Sequence, residues 1–315
     1  MTKRTLVIDA DTILYSSAAQ QQTNKCNVIH KASGREKLFD SKTLFNEWIK
    51  SQDKWSKDEF EFQTVSELVG EPRFAFQSIK QKVENIFNVS CCDDYVVCIE
   101  GEGNFRKDYQ TQYVAYKAQR TEKPLLFNEC REYFLKKYKD RVIVSVGRET
   151  DDTCNIMAWE SYNRALKTRD KGQANYIISH VDKDIKANSR GFLLNYNKLE
   201  DGIFWNDGLS QTKAFLTQCL VGDSADNIDG VKILADVTKQ RYGITVKGVG
   251  PATAAKILDD CKTEKEMADR VVEAYIEAHP EDYSQRLQDI AFFLYLQRYE
   301  GEVFDWNTYY EGLTG

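Results

Sequence analysis

The sequence predicts an α/β protein: a central, mostly parallel sheet flanked by helices, followed by a largely helical second half. Three observations carry this reading. Short β-rich runs alternate with helical stretches over residues 1–205. Each run ends at or just before a carboxylate, and from residue 206 to 315 the patterning turns helical. With 315 residues, 42% hydrophobic and 29% charged, the chain holds roughly two domains of about 150 residues each and enough apolar surface for a core. Its composition excludes wholesale disorder. The longest apolar run, 290–296, has seven residues, against about 18 for a membrane span. Asp9 and Asp11 interrupt the first apolar stretch, so no secretory signal is expected. Eight cysteines with no C-x-x-C pair, and three histidines with no ligand spacing, point to reduced thiols in the cytoplasm, without disulfides or zinc.

Along the chain, residues 5–9 (TLVID) form the first expected strand. Residues 20–70 are polar with isolated aromatics such as Phe45, Trp48 and Trp55, and are expected as loops and irregular helices, an insertion more than a domain. Pro72 suits the first turn of a helix whose inner face is marked by Phe76, Ile79, Val83 and Ile86. Strands follow at 95–100 (YVVCIE), 141–146 (RVIVSV) and 174–182 (ANYIISHVD), with a helix from the GRETDD block to about residue 166. Right-handed crossovers between them give a parallel sheet. Helices are expected at 211–221, 251–258, 264–279 and 287–299. The last helices and the aromatic tail read as core packing.

The acids at the strand ends are Asp9, Glu100 (with Glu102 close by), Glu149 with Asp151 and Asp152, and Asp182 with Asp184. C-terminal strand ends share one edge of an open parallel sheet, where ligands bind. A fifth cluster, GDSADN at 222–227, sets Asp223 and Asp226 at i and i+3, facing one way from a helical turn. A single acid after a strand is most simply a helix cap. Four strand ends behaving alike argue for more. Nine converging carboxylates repel one another unless they hold hard divalent ions, and oxygen ligands favour Mg²⁺ or Mn²⁺ over zinc. Two such ions about 3.5–4 Å apart suit in-line phosphoryl displacement by water. Asp11 is expected to cap the following helix or to support Asp9. Net charge −6 argues against a nucleic-acid binder, but removing nine site carboxylates leaves +3, which suits a polyanionic substrate.

Residues 105–123 (FRKDYQTQYVAYKAQRTEK) interleave cations and rings. At about 100° per residue, Arg106, Tyr109, Tyr113, Tyr116, Lys117 and Arg120 share one helix face. Such a face fits single-stranded nucleic acid or frayed ends, or equally a surface helix leaning its tyrosines on the core. Further on, VKGVGPATAAKIL (246–258) is a tight turn through Gly248 and Gly250 opening a small-residue helix, with Lys247 and Lys256 beside it. It reads as a helix–hairpin–helix gripping duplex backbone, or as a plain helix start.

Together these blocks (LVIDAD, NFRKDY…YKAQR, ETDD, VDKD and GDSADNIDGV…VKGVGPATAAKIL, in that order) resemble the 5′ nucleases: flap endonucleases, phage 5′–3′ exonucleases and the 5′-nuclease domain of bacterial DNA polymerase I. The resemblance implies a PIN-like nuclease core over 1–205, with the 20–70 insertion and a helical arch at 105–125. A helical region follows over 206–315, with a helix–hairpin–helix at about 210–260. It implies two Mg²⁺ or Mn²⁺ ions held by Asp9, Glu149, Asp151, Asp152, Asp182, Asp184, Asp223 and Asp226, with Glu100 standing where many relatives have Asp. It implies phosphate contacts from Arg106 and Lys117, base stacking by Tyr116, Arg120 within the arch motif, and K⁺ at the hairpin. Ala10 replaces a frequent Gly, Asp229 replaces the usual Pro, and 232–246 lengthens the link to the hairpin. The nearest resemblance is to the stand-alone phage enzymes, which act on duplex DNA with a 5′ end or flap and on RNA primers in hybrids. A monomer in the host cytoplasm, without membrane contact, is expected. Two rivals share parts of the pattern: a PIN-type ribonuclease on single-stranded RNA, and a DNA-end-binding protein with a vestigial site.

Overall fold

The computed structural model describes residues 2–52, 54–118 and 122–313. The chain runs β1 (Thr5–Asp9), α1 (Asp11–Ala19), β2 (Gln22–His30), β3 (Glu36–Phe39), α2 (Lys42–Lys50), β4 (Phe60–Leu68), α3 (Pro72–Ser90) and β5 (Asp94–Glu100). It continues through α4 (Phe127–Lys137), β6 (Val142–Ser145), α5 (Thr150–Thr168), β7 (Tyr176–His180), α6 (Lys183–Asn188), β8 (Gly191–Asn195) and β9 (Ile203–Asn206). Last come α7 (Gly208–Val221), the two-residue strands β10 (Gly222–Asp223) and β11 (Ile228–Asp229), α8 (Asp236–Tyr242), α9 (Pro251–Leu258), α10 (Glu264–Ala278), α11 (Tyr283–Leu294) and α12 (Trp306–Glu311). Among the described residues no helix is long and apolar enough to cross a membrane.

The chain forms two compact units: Met1–Asp11, Glu84–Thr121 and Asp140–Gly315 make one, Thr12–Val83 and Glu122–Lys139 the other. The division does not fall at residue 205, because the C-terminal helices belong to the same unit as the large sheet. That sheet has the order β6-β5-β1-β7-β8-β9. Every pairing is parallel except β8 with β9, as the α/β expectation requires. β1 sits between β5 and β7, with Leu6, Val7 and Ile8 fully buried. Consecutive apolar residues such as these are what a strand covered on both faces needs. The helical half buries its own core, in which Phe215, Leu216 and Cys219 of α7 meet Val271 and Tyr275 of α10 and Ile290 and Ala291 of α11.

Several expectations are corrected. Strands β8 and β9 stand where none was expected, and the antiparallel β9 closes the sheet. Residues 20–70 are not loops: β2, β3 and β4 form an antiparallel sheet in the order β3-β2-β4. Alternate residues Cys26 and Val28, with Phe60, pack on Phe45 and Ile49 of α2. The helix expected over 287–299 stops at Leu294. Beyond it the backbone is held by side chains: Asn188 accepts from Leu296 N–H at 3.0 Å, Asp152 accepts from Gln297 N–H at 3.0 Å, and Asn155 donates to the Leu296 and Gln297 carbonyls.

Phe45 is fully buried, with ring centroids of Phe39, Phe60 and Phe62 5.0–5.5 Å away. Phe45→Ala should therefore cost about 3–5 kcal/mol, read as a lowered urea midpoint. A loop insertion would lose almost nothing, so an unchanged midpoint would contradict this core.

Candidate metal centre

Asp9 closes β1 with 4% of its surface exposed. Glu149 is the N-cap of α5, and Asp151 and Asp152 fill its first turn. Asp182 caps α6 and accepts from Asp184 N–H at 2.9 Å. Capping leaves Glu149 and Asp182 an oxygen for other partners, since one carboxylate oxygen suffices for a cap. The fifth acid pair is built differently from the expected helical turn. α7 ends at Val221, and Asp223 pairs with Ile228 in a small antiparallel hairpin whose turn carries Asp226. Gly222, at φ +80°, permits this, because a side chain there would meet the Ile228 carbonyl oxygen at 2.3 Å.

The acids gather into two adjoining groups. Asp9 and Asp151 share a side-chain hydrogen bond, and Asp11 and Asp182 act on both electrostatically. Asp184, Asp223 and Asp226 each bring an oxygen within 4.8 Å of the other two. Asp182 acts on Asp184 as well, so it links the groups. Burial first, and the neighbouring carboxylates second, push Asp9 and Asp184 from the ordinary 3.8 up to about 7, and Asp151 well above its ordinary value. An all-oxygen set crowded enough to hold protons near neutrality is the donor chemistry that suits hard divalent cations.

Cations and donors already lean on the cluster. Lys117 Nζ pairs with Glu149 and lies 3.5 Å from Asp226 Oδ2, and its side chain is 8% exposed. The Tyr116 hydroxyl donates to Glu149 at 2.7 Å. Two further partners, Lys183 and Gln218, were not expected from the sequence. Lys183 Nζ lies 3.2 Å from Asp223 Oδ1, and Gln218 Nε2 donates to Asp184. Asp11 accepts from Glu100 N–H at 2.9 Å and from the Thr150 hydroxyl, joining three strand ends. Lys183 was legible, lying between two called acids. Gln218, inside α7, carries no local signal.

The remaining called residues divide. Glu100 ends β5, and its backbone N–H reaches the site through Asp11. Arg106 and Asp152 form a buried pair with each other. Both Asp152 oxygens accept from Arg106, at 2.6 and 2.8 Å, and also from Glu149 and Gln297 N–H groups. Burial works against the Arg106 charge, but Asp152 outweighs it, and the guanidinium titrates above its ordinary value. Residues 105–118 are not the expected helix. After one 3₁₀ turn at Phe105–Asp108 the chain is irregular, and Lys117 takes φ +56°, which no right-handed helix allows. Tyr109 stacks on Phe292 at 4.1 Å and bonds Asp289 at 2.8 Å. Arg120 lies outside the described residues. Gly248 and Gly250 precede α9 as expected, but α8 and the β10–β11 hairpin stand between α7 and that turn. Lys247 is exposed, and Lys256 donates to the Gly243 carbonyl at 3.1 Å.

No family model matches the chain, and no curated protein matches it. Among solved structures the chain is similar to a T5 D15 protein co-crystallised with metal ions, at 12% identity and a TM-score of 0.41 over 92% of this chain and 99% of that one. It is similar also to the bacteriophage T5 D15 flap endonuclease in a pseudo-enzyme–product complex with DNA and metal ions, at 12% identity and TM-score 0.39, covering 93% and 99%. A third is the catalytic core of Rad2 with a DNA substrate, at 12% and 0.33, covering 77% and 62%.

Two outcomes are expected. Arg106→Ala leaves Asp152 buried and unpaired, so it should destabilise by about 3–5 kcal/mol; a marginal change in chemical denaturation would return Arg106 to a surface role. In EDTA, the folded protein binds more protons than the unfolded chain between pH about 4 and about 7, because Asp9 and Asp184 titrate near 7. Stability should therefore fall as pH rises through that window. Added Mg²⁺ should reverse the trend in Tm, and a Tm that rises with pH in EDTA would contradict the cluster.

Proposed function

We propose that this chain is a divalent-metal-dependent 5′ nuclease that hydrolyses phosphodiester bonds near the 5′ ends of duplex DNA, as an exonuclease or flap cutter. The observation that carries the reading is the meeting of acids from the ends of β1, β6 and β7 with those of the β10–β11 hairpin, with Asp184, Asp223 and Asp226 oxygens within 4.8 Å of one another. Asp9, Asp151 and Asp182 would hold one Mg²⁺ or Mn²⁺ ion, and Asp184, Asp223 and Asp226 the other. When bound, such ions supply Lewis acidity and lower the pKa of a water.

The chain's own groups do the rest. The carboxylates bind and orient without acting as nucleophiles. Lys117, already at the cluster's edge, is placed to take a phosphate oxygen, exchanging Glu149 and Asp226 for substrate. Tyr116, hydrogen-bonded beside it, offers its ring to a terminal base. Arg106, in its buried pair with Asp152, would fasten the segment that carries Tyr116 and Lys117. Water adds at phosphorus and the bond to the 3′ oxygen breaks, leaving a 5′ phosphate on the downstream strand. The Gly248–Gly250 turn, with Lys247, is the proposed grip on duplex backbone and the place for K⁺. RNA in a hybrid is the further substrate. A monomer in phage DNA replication or degradation, acting in the host cytoplasm, completes the reading.

The test is cleavage of 5′-labelled blunt duplex, 5′ flap and single strand with Mg²⁺ and with EDTA. Asp151→Asn and Asp182→Asn should keep DNA binding and lose turnover by about 10²-fold or more, and Lys117→Ala by a comparable factor. Full activity in either Asn variant would overturn the site. Cleavage of single-stranded RNA alone would point to a ribonuclease, and tight end binding without cleavage to a vestigial site.

A further inference from the structure

A cavity of about 490 Å³ lies apart from the carboxylates, lined in part by Gln112, Tyr113, Asp229, Lys232, Asp282 and Arg286. Its volume falls within the range of small-molecule sites, about 300–1,000 Å³. Its charges are already matched. Lys232 Nζ lies 2.6 Å from Asp229 Oδ2, and Arg286 Nη2 lies 2.9 Å from Asp282 Oδ2. A phosphate entering here would meet two acids along with the two bases. What the lining offers instead is a flat wall and mixed hydrogen-bonding edges. The Arg286 guanidinium stacks over the Tyr113 ring, 4.4 Å from its centroid. Arg286 Nε–H is buried and makes no hydrogen bond among the described residues, a donor whose cost a ligand acceptor would remove. His279, also in the lining, has its pKa lowered, first by burial and then by Arg286. Its neutral ring offers one donor and one acceptor.

The wall is fixed in advance. Asp289, 3% exposed, accepts from the Tyr109 hydroxyl, from Thr111 Oγ1 and from Gln285 Nε2. Thr111 Oγ1 in turn accepts from Tyr113 N–H at 3.0 Å. The segment bearing Tyr113 is thus fastened to α11, the helix from which Arg286 projects. Tyr116 follows Tyr113 by three positions, so their Cα atoms are at most about 11 Å apart. A short strand could occupy the cavity and the carboxylate cluster together.

We propose that this cavity binds a nucleobase, stacked against the Tyr113–Arg286 wall with its edge hydrogen-bonded to the polar lining. The inference rests on the nucleic-acid reading above. The base comes either from a single strand entering the site or from a free nucleotide, and the same chemistry recognises both.

Fluorescence anisotropy with a labelled deoxyadenosine hexamer, in EDTA with the full chain, tests it without cleavage. An abasic hexamer should bind about tenfold more weakly, since stacking on a protein ring contributes about 1–3 kcal/mol per base. Tyr113→Leu and Arg286→Gln should each remove most of that difference and leave abasic affinity as it was. Circular dichroism checks the fold of each variant, and Tyr113→Leu alone decides the matter if Arg286→Gln unfolds. Displacement of the hexamer by adenosine monophosphate at lower concentration than by unlabelled hexamer assigns the cavity to free nucleotide. The reverse order assigns it to a strand, and either supports the proposal. Equal affinity for abasic and base-bearing hexamers, unchanged variants, or competition by inorganic phosphate as strong as by adenosine monophosphate would overturn it. Base-dependent binding with no Mg²⁺-dependent cleavage would sink the nuclease reading and spare the cavity.

Discussion

Everything at the candidate site turns on mutual repulsion among carboxylates held where water is scarce. Asp9 is almost fully buried at the end of the innermost strand, with Asp151 hydrogen-bonded against it. Charges of one sign at such separations cost kcal/mol even at high effective dielectric, so the fold must hold them by other means. It does so mainly with backbone. Glu149 and Asp182 are anchored as helix caps, Asp223 by its hairpin, and Asp11 by donors from β5 and α5. Lys117, Lys183 and Gln218 soften the field from the periphery. Rigid placement by main chain keeps the acids together when no cation is present.

Beside that anionic cluster, Arg106 and Asp152 act as an internal rivet. Four donors converge on Asp152, and they come from the 105–108 turn, the start of α5 and the stretch after α11. Arg106 adds a bond to the Tyr295 carbonyl. Pieces of chain nearly 200 positions apart in sequence are thereby fixed beside the acids. A buried pair of this kind contributes little net stability over an apolar contact, but removing one partner is costly. Its value here is positional, since it sets the path that delivers Tyr116 and Lys117 to Glu149.

The sheet and most of the acids were legible in the sequence because both signals are local. Apolar runs such as TLVID and YVVCIE end in acids, and strand ends of a parallel sheet meet in space whatever lies between them. What failed to show was written in distant contacts. The segment 105–118 has tyrosines at helical spacing, but its shape is dictated by Asp152, Asp289 and Phe292, far along the chain. The small sheet of β2, β3 and β4 hides behind polar strand residues whose partners are across the strand, such as Lys25 with Glu67 at 2.8 Å and Asn27 with Glu36 at 2.8 Å. Composition reads those as loop. Asp223 and Asp226 were correctly paired by spacing but wrongly given a helical turn, because the i, i+3 signal is the same in a four-residue hairpin turn.

The strand order carries a consequence for how the protein is made. The two neighbours of β1 are β5 and β7, so this central strand leaves the ribosome long before either partner exists. The three-stranded sheet of β2, β3 and β4, by contrast, pairs only with itself and can close while the middle of the chain is still being added. Non-local parallel pairing is the slow step in such folds. Since β10 and β11 come later still, Asp223 and Asp226 are the last acids of the cluster to be synthesised. The charge burden of the site is thus laid down piecemeal along the chain, and its final increment precedes the helices α8 to α12 that complete the same unit.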